Sequence, residues 1–243
     1  MSILLTEKIT HFVEKNIGNF HAKRLNRLEN LRLKDVLKRK NPYLFKVKNI
    51  LTAEKFVRAI LDAYLSSQEE TIFGDFLEEL SIYVNNLVFG GRKSSAQGID
   101  LEFESEGIKY LVAIKSGPNW GNSRQVAKMK EDFRMAKKIL RTSNSRMHII
   151  AVNGCCYGKE NKIDKGEYLK LCGQKFWEFI STDPNLYTEI IEPLGHQAHQ
   201  KNASFEISYA QILNKFTLEF SQQFCPDGLI DWEKLVRFNS AAN

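Results

Sequence analysis

Apolar and polar positions follow a regular pattern through the first half of the chain. Between Glu70 and Leu87 apolar residues recur every three or four positions, which is the spacing of one face of an α-helix. This face consists of Phe73, Phe76, Leu77, Leu80, Val84 and Leu87. The pattern predicts an amphipathic helix that packs against a core and ends at Gly90-Gly91.

Two helical segments are predicted before it. Residues 1–40 have a helical pattern rich in basic side chains, which stops near Asn41-Pro42 because proline does not continue a helix. Thr52 is a favourable cap for the next helix. That helix has three large side chains at helical spacing, Phe56, Ile60 and Tyr64.

The period changes to that of β-strands after Gly98. Residues 99–104 alternate between apolar and polar, residues 109–115 are apolar and β-branched, and residues 105–107 form a turn between them. The sequence therefore predicts a hairpin, in which we expect Asp100 to pair with Leu111.

The remaining elements are predicted from shorter patterns. Ser123 is expected to cap a helix that runs to about Arg141, and residues 147–153 (MHIIAVN) are typical of a buried strand. Weaker patterns predict helices at 166–181 and 206–224, followed by a tail near residues 231–238.

The order helix, strand, strand, helix, strand is typical of a mixed sheet flanked by helices. We therefore expect an α/β (α+β) fold with a helical N-terminal part. A chain of 243 residues is long enough for one compact domain, in which residues 1–50 form a basic helical segment and residues 51–243 the core with its C-terminal helices.

Positive charge is concentrated near the N-terminus. The chain has 35 Lys and Arg against 29 Asp and Glu, a formal charge of +6. Ten basic residues lie between His21 and Lys48, opposed by Glu29 and Asp35 alone. Such a stretch is either a solvated helix face or a surface that contacts phosphates.

The four cysteines indicate free thiols. No CxxC pair and no apolar leader at the N-terminus are found, so we expect a cytoplasmic protein. No run of 18 apolar residues predicts a membrane span. A zinc site formed by Cys155, Cys156 and Cys172 with His196 or His199 is an alternative, but its spacing matches no known zinc pattern.

The hairpin contains the residues best suited to catalysis. In the expected register Asp100, Glu102, Ala113 and Lys115 share one face, and Ile99, Leu101, Phe103, Val112 and Ile114 share the other. Carboxylates bind a hard divalent cation, and a lysine beside them can orient or help to deprotonate the attacking water. Cross-strand ion pairing alone would also explain these charges.

Several motifs in order resemble known nucleases. Gly98-Ile99-Asp100, followed by a strand that ends in AIKSG at residues 113–117, resembles the core of the PD-(D/E)XK nuclease superfamily. A longer series is similar to a group of bacterial type II restriction endonucleases. This series is NPYLF (41–45), EETIFGDFLE (69–78), GIDLEFE (98–104), AIKSGPNWGNS (113–123), CCYG (155–158) and GQKFWEFIS (173–181).

The resemblance implies a metal-binding aspartate at Asp100 and the motif lysine at Lys115. One departure is that the acidic position two residues before the lysine is Ala113, whose methyl group cannot bind Mg²⁺. A second carboxylate must then come from elsewhere, and Glu78 on the preceding helix and Glu102 are the candidates. The helical period alone does not choose between Glu78 and Glu79.

The segment after the lysine suits contact with DNA. Its amides, indole and hydroxyl are groups that bind phosphates or base edges, and a helix beginning at Ser123 offers free N–H groups to an anion. The candidates are Asn119, Trp120, Asn122, Ser123, Gln125 and Lys128. The alternative is a structural turn with Trp120 packed on the core.

The resemblance thus implies a site-specific deoxyribonuclease that hydrolyses double-stranded DNA with Mg²⁺. It also implies a restriction-modification system with a cognate methyltransferase, and a homodimer is expected because two-fold symmetric sites match two-fold symmetric proteins. Two alternatives stay open. One is a repair or junction nuclease of the same fold, and the other is a DNA-binding protein without catalysis, which Ala113 would permit.

Overall fold

Residues 3–143 and 146–242 are described here from a computed structural model. Ten helices lie in these ranges: α1 Ile3–Glu29, α2 Leu33–Leu37, α3 Pro42–Val47, α4 Ala53–Phe89, α5 Ser123–Ser143, α6 Gln174–Ser181, α7 Leu186–Glu189, α8 Ile191–Leu194, α9 Ala198–Phe224 and α10 Trp232–Ser240. The strands of the same ranges are β1 Arg92–Lys93, β2 Leu101–Ser105, β3 Ile108–Lys115, β4 His148–Cys155 and β5 Leu169–Cys172.

The chain divides into two compact units. The sheet unit comprises the N-terminal residues up to Ile17 and Gly74–His196, and the helical unit comprises Gly18–Phe73 and the residues from Gln197 onward. The division at residue 50 that composition indicates stays a prediction. Residues 1 and 2 of the predicted basic helix lie outside the described ranges.

The sheet of the described residues is mixed, with strand order β1-β2-β3-β4-β5. The β1-β2 and β2-β3 pairs are antiparallel, whereas β3-β4 and β4-β5 are parallel. A parallel pair needs a crossover connection, and α5 provides it between β3 and β4. The predicted fold class, a mixed sheet flanked by helices, is confirmed.

The register of the predicted hairpin is wrong by two residues. Leu111 pairs with Glu102 and not with Asp100. The faces are nevertheless as expected, because a shift of two residues returns each side chain to the same side of the sheet. Ile99 is the exception. It packs with Leu111 and Ala113, since β2 begins only at Leu101 and the alternation does not extend back to Ile99.

Both faces of the sheet are covered by helices, although one hairpin face was expected to be dry and the other to be polar. On the first face, the ring of Phe103 stacks on those of Phe89 and Tyr110. On the second face, Leu111 and Ala113 pack against side chains of α5 such as Phe133. This face is therefore largely apolar under α5, and Asp100 and Glu102 of the hairpin are only partly buried.

The helices before the sheet differ from the prediction in two ways. The two helices predicted after Thr52 are one continuous helix, α4, and Thr52 caps it by accepting a hydrogen bond from the Lys55 N–H at 3.3 Å. Asn41-Pro42 begins a helix instead of only ending one. Asn41 accepts a bond from the Tyr43 N–H at 3.0 Å, and proline is favourable at the first helical position.

The predicted strand at 147–153 is confirmed as β4, but the predicted helix at 166–181 is wrong in its first half. Residues Leu169–Cys172 form β5, and Gly173, with φ of 56°, separates this strand from α6. The helix predicted at 206–224 is confirmed within α9, and the tail predicted near 231–238 forms the helix α10.

The helical unit has its own apolar core. Phe56 of α4 stacks on Phe220 of α9, and Phe45 of α3 packs edge-on against Phe56. All three rings are buried. None of the helices in the described ranges combines the length and hydropathy needed to cross a lipid bilayer.

Candidate active site

Asp100 lies immediately before β2 and is held by the neighbouring strand. Its backbone N–H donates to the carbonyl of Val112 at 2.9 Å, and its Oδ2 accepts a bond from the backbone N–H of Ile114 at 2.7 Å. The side chain is 21% exposed. The strand β3 therefore fixes the orientation of this carboxylate while one side of it stays open to solvent.

Lys115 is the last residue of β3 and lies on the same side as Asp100. Its Nζ is 3.7 Å from Asp100 Oδ2, and its side chain is 32% exposed. The structure therefore brings together the two residues that the sequence singled out. At 3.7 Å the pair is an ion pair rather than a tight hydrogen bond, which leaves room for both groups to contact a third partner.

The electrostatic environment of Asp100 disfavours its negative charge. Burial raises the pKa of this carboxyl above its ordinary value, and the negative charge of Glu78 raises it further. The Lys115 ammonium, the Ile114 N–H and Lys93 act in the opposite direction without reversing the shift. A cation bound beside Asp100 and Glu78 would relieve this repulsion.

Glu78 is the helix glutamate that faces this region. Its Oε1 is 3.1 Å from Lys93 Nζ and its side chain is half-buried, whereas Glu79 is exposed. One turn earlier on α4, a Cβ atom at Gly74 would lie 2.7 Å from the hydroxyl oxygen of Ser116. The missing side chain of Gly74 thus lets α4 approach the end of β3, next to Lys115.

Glu102 is occupied by other partners. Its Oε1 lies 2.7 Å from Arg92 Nε and 3.8 Å from Lys109 Nζ, both on the adjacent strands. The Ser94 hydroxyl donates to its other oxygen at 3.5 Å. Glu102 shares the sheet face of Asp100, as expected, but its charge is already balanced by two cations.

The loop after Lys115 is anchored on the sheet. Trp120 donates its indole N–H to the side-chain oxygen of Asn153 at 3.1 Å, and its ring lies 5.4 Å from Lys115 Nζ. Asn153 is buried in β4 and donates its amide N–H to the carbonyl of Ala113 at 3.1 Å. Trp120 also packs on the core beneath α5. This packing is what the alternative interpretation of the loop, as a structural turn, predicts.

The start of α5 is capped by Asn122 and not by Ser123. Asn122 Oδ1 accepts from the Gln125 N–H at 3.1 Å, and Gln125 Oε1 accepts from the Asn122 N–H at 2.9 Å. This reciprocal arrangement is a capping box. Asn119, Asn122, Ser123 and Gln125 are all exposed.

A cleft of about 570 Å³ opens between the hairpin and α5. It is lined by Gly98, Ala113, Lys115, Trp120, Arg124, Gln125, Lys128, Met129 and Asp132. Lys128 bonds to Asp132 at 2.7 Å on its rim. The cleft thus joins Lys115 to three of the predicted DNA-contacting residues: Trp120, Gln125 and Lys128.

Comparison with known families identifies the chain at this point. Residues 7–202 match the model of the family described as Type II restriction endonuclease EcoO109I. The chain belongs to this family. A search of curated proteins finds no match.

Membership makes the chain a site-specific nuclease of the type II restriction endonuclease class, with DNA as its substrate. The match includes Asp100, Lys115, Glu78 and the loop with Trp120. It extends from α1 to the first turn of α9, and so covers the whole sheet.

The residue two positions before Lys115, where the resemblance in sequence would place an acid, is fully buried. Ala113 is 0% exposed and packs against Met129. Within residues 3–143 and 146–242, no three His, Cys, Asp or Glu side chains lie together as a metal site. This argues against the cysteine and histidine alternative, and it also means that Asp100, Glu78 and Glu102 do not form a three-carboxylate cluster in these residues. Asp100 and Glu78 suit Mg²⁺, because it is commonly bound by one or two carboxylates and otherwise by water and substrate oxygens.

Sequence reasoning missed three residues of this region. Arg124 and Asp132 line the cleft, and Asn153 supports Trp120. Asn153 had a visible signal, because it ends the otherwise apolar segment MHIIAV. A polar side chain within a buried strand requires a partner.

Proposed function

We propose that this restriction endonuclease cleaves double-stranded DNA by Mg²⁺-dependent phosphodiester hydrolysis, with a PD-(D/E)XK active site at Asp100 and Lys115. The observation that carries the proposal is the 3.7 Å separation of the Asp100 carboxylate and the Lys115 ammonium. Lys115 also lines the cleft, and the side chain of Asp100 beside it is 21% exposed.

Asp100 and Glu78 would hold the metal, with Glu102 in support. When bound, Mg²⁺ polarises the scissile phosphate and lowers the pKa of a water molecule. Asp100 is well suited to its part because the Ile114 N–H fixes one of its oxygens. Glu78 must first exchange its bond with Lys93 for the metal, which is feasible because the Lys93 side chain is 70% exposed.

Lys115 orients the attacking water. A lysine ammonium has three donors and no acceptor, so it can bond to Asp100, to a water and to a phosphate oxygen. The face of the Trp120 ring restricts where this ammonium can lie. Positioning of this kind contributes to the rate because the reacting atoms need not be brought together from solution.

The loop and the first turn of α5 contact the DNA in this proposal. The residues concerned are Asn119, Trp120, Asn122, Ser123, Gln125 and Lys128. Asn122 and Gln125 use their side-chain oxygens for capping, so their NH₂ groups are available to acceptors on bases or phosphates. Lys128 is 59% exposed and can reach a phosphate despite its bond with Asp132.

The biological setting is proposed from the family. A restriction endonuclease requires a cognate methyltransferase that protects the host DNA, in a restriction-modification system in the cytoplasm. A homodimer is proposed because a two-fold symmetric DNA site is read by two copies of one surface.

Plasmid digestion tests the proposal. Wild-type protein should give discrete linear fragments with Mg²⁺ and no cleavage with EDTA. Lys115→Ala should reduce the rate by about 100-fold or more. Lys138→Ala is the matched control, because this exposed lysine of α5 does not line the cleft and should leave the rate unchanged.

Two results would overturn the proposal. A repair nuclease would cut branched DNA and spare intact plasmid. A DNA-binding protein without catalysis, which the buried methyl group at Ala113 favours, would retain plasmid without cutting it. Lys115→Ala protein as active as wild type would reject the site.

A further inference from the structure

The net charge of the chain is confined to one short segment. Between Arg32 and Lys48 there are seven basic residues and one acidic residue, a net charge of +6 over 17 residues. The whole chain also has a net charge of +6. All other residues together are therefore neutral, with 28 basic and 28 acidic side chains. We refer to residues 32–48, which contain α2 and α3, as the basic segment.

The fold turns the cations of this segment outward. Its apolar side chains, Leu33, Val36, Leu37 and Phe45, are buried in the core of the helical unit. Lys34, Lys38, Lys46 and Lys48 are exposed. Because the apolar face is fixed by the core, the opposite face of both short helices is held toward solvent.

These four lysines have no carboxylate partner among the described residues. The one acid of the segment, Asp35, is bonded to Arg32 at 2.7 Å. Lys46 and Lys48 lie over the rings of Trp232 and Phe45, each at 5.4 Å. A charged face whose cations lack carboxylate partners is available to an external anion.

The acids of the neighbouring helix are also engaged. Helix α10 packs on α3 and offers two acidic side chains. Glu233 is bonded to Arg237 at 2.6 Å, and Asp231 accepts from the Lys234 N–H at 2.9 Å as a helix cap. Neither is paired with Lys46, although Lys46 and Glu233 line the same groove.

We propose that the basic segment binds the phosphate backbone of duplex DNA independently of base sequence. This site lies outside the catalytic residues and does not depend on their proposed roles. Lysines supply point charges to phosphates, and each neutralised phosphate releases counterions, which makes affinity strongly dependent on salt. DNA is the polyanion that this nuclease family already acts on.

Binding without cleavage tests the site. The variant K34Q/K38Q/K46Q/K48Q is compared with K8Q/K15Q/K55Q/K215Q, which removes four exposed lysines elsewhere. The dissociation constant for a random-sequence 30-base-pair duplex is measured in EDTA over a range of KCl concentrations. Far-ultraviolet circular dichroism and thermal unfolding verify that both variants are folded.

We expect only the variant K34Q/K38Q/K46Q/K48Q to lose DNA affinity and salt dependence. Its plot of log affinity against log salt concentration should be less steep by about three to four, because each lost phosphate contact removes about 0.9. At about 0.1 M salt its affinity should fall at least tenfold. The control variant should retain the wild-type slope to within about one.

Equal slopes of log affinity against log salt concentration in the two variants would overturn the proposal that the basic segment binds DNA. The segment would then be only a solvated surface. Retained DNA affinity combined with lost binding to phosphatidylserine vesicles would also overturn the proposal. Failure of the proposed function is distinguishable, because a wild-type protein that binds duplex in EDTA but never cuts plasmid with Mg²⁺ leaves this site intact.

Discussion

Trp120 and Asn153 connect the buried part of the sheet to the candidate active site. Asn153 is 1% exposed, and its side-chain oxygen accepts the indole N–H of Trp120 at 3.1 Å. The ring held in this way lies beside the ammonium of Lys115. A residue that cannot touch DNA therefore influences the position of one that we propose to act in cleavage.

Asn153→Ala should slow cleavage more than it weakens DNA binding. Loss of the acceptor leaves the Trp120 N–H unpaired and the ring less restricted, and we expect the single-turnover rate to fall by about tenfold. The dissociation constant in EDTA should rise by a smaller factor than the rate falls, because Trp120 is one of several residues proposed to contact DNA. Asn85→Ala is the matched control, since Asn85 is equally buried in the sheet unit but bonds to the carbonyl of Ile180.

Asn153→Ala should lose about 1–3 kcal/mol of stability, because it leaves the Trp120 N–H unpaired. Asn85→Ala should lose less, because the Asn85 Oδ1 that it removes has no hydrogen-bond partner among the described residues. Only Asn153→Ala should affect the rate. Should it weaken DNA binding as much as it slows cleavage, the positioning role of Asn153 would be rejected.

Glu78→Gln should be far more damaging than Glu79→Gln. Glu78 is half-buried beside Asp100, and its amide replacement would bind Mg²⁺ poorly, so the rate at 1 mM Mg²⁺ should fall by at least about 100-fold. Glu79 is exposed and its variant should stay within about twofold of wild type. The measurement is single-turnover cleavage over a range of Mg²⁺ concentrations.

Part of the Glu78→Gln loss should be recovered at high Mg²⁺, because a weaker site is filled by mass action. A rate that is low at every Mg²⁺ concentration and equally low for Glu79→Gln would point to a folding defect and contradict the assignment of Glu78.

The variant Glu102→Gln tests whether Glu102 binds the metal directly or only supports the other ligands. Because Arg92 and Lys109 already balance this carboxylate, we expect a rate loss smaller than that of Glu78→Gln, together with a lower melting temperature. Arg92→Gln, which removes the partner, should reproduce the change in melting temperature. A rate loss as large as that of Glu78→Gln would make Glu102 the second metal ligand.

Gly154→Ala should destabilise the sheet unit. A methyl group at this position would overlap the ring of Phe176, which is 0% exposed and has no space to move. Overpacking of this kind costs about 1–3 kcal/mol of the free energy of unfolding, measured by denaturant titration. Gly18→Ala is the contrast. Its Cβ would lie 3.5 Å from Lys201 Nζ, so helix propensity should stabilise the protein by up to about 1 kcal/mol.

Cys156 should resist thiol reagents in the native protein. Burial raises the pKa of its thiol to about 12, so almost no thiolate is present at pH 8. Cys225, which is half-buried, should be labelled first by a thiol-reactive dye. All four cysteines should react in guanidinium chloride, and fast native labelling of Cys156 would contradict its placement.

The sequence predicted that Asp100 and Lys115 share one face of the hairpin. This prediction tolerates a register error of two residues, because alternation along a strand returns each side chain to the same face. The sequence did not distinguish Glu78 from Glu79, since both lie off the apolar stripe. That choice depends on how α4 approaches the end of β3, which is determined by the space at Gly74 next to Ser116. Such tertiary contacts leave no periodic signal.

Other errors have local causes. The helix predicted at 166–181 ignored Gly173, whose positive φ of 56° divides a strand from a helix. The stop predicted at Asn41-Pro42 is instead a start, because Asn41 caps α3 and the preceding helix α2 already ends at Leu37. In each case one residue with a local role, a positive φ or a side-chain cap, determines the boundary.

The burial of Ala113 has a consequence for how such a site could change over time. Its methyl group is enclosed by the core under α5, so a carboxylate introduced there would meet Met129 before it met solvent. An acidic side chain at residue 113 would therefore require the side chains of α5 above it to move or to become smaller. A second carboxylate comes more easily from an element that already has one close enough to act on Asp100, such as α4 with Glu78.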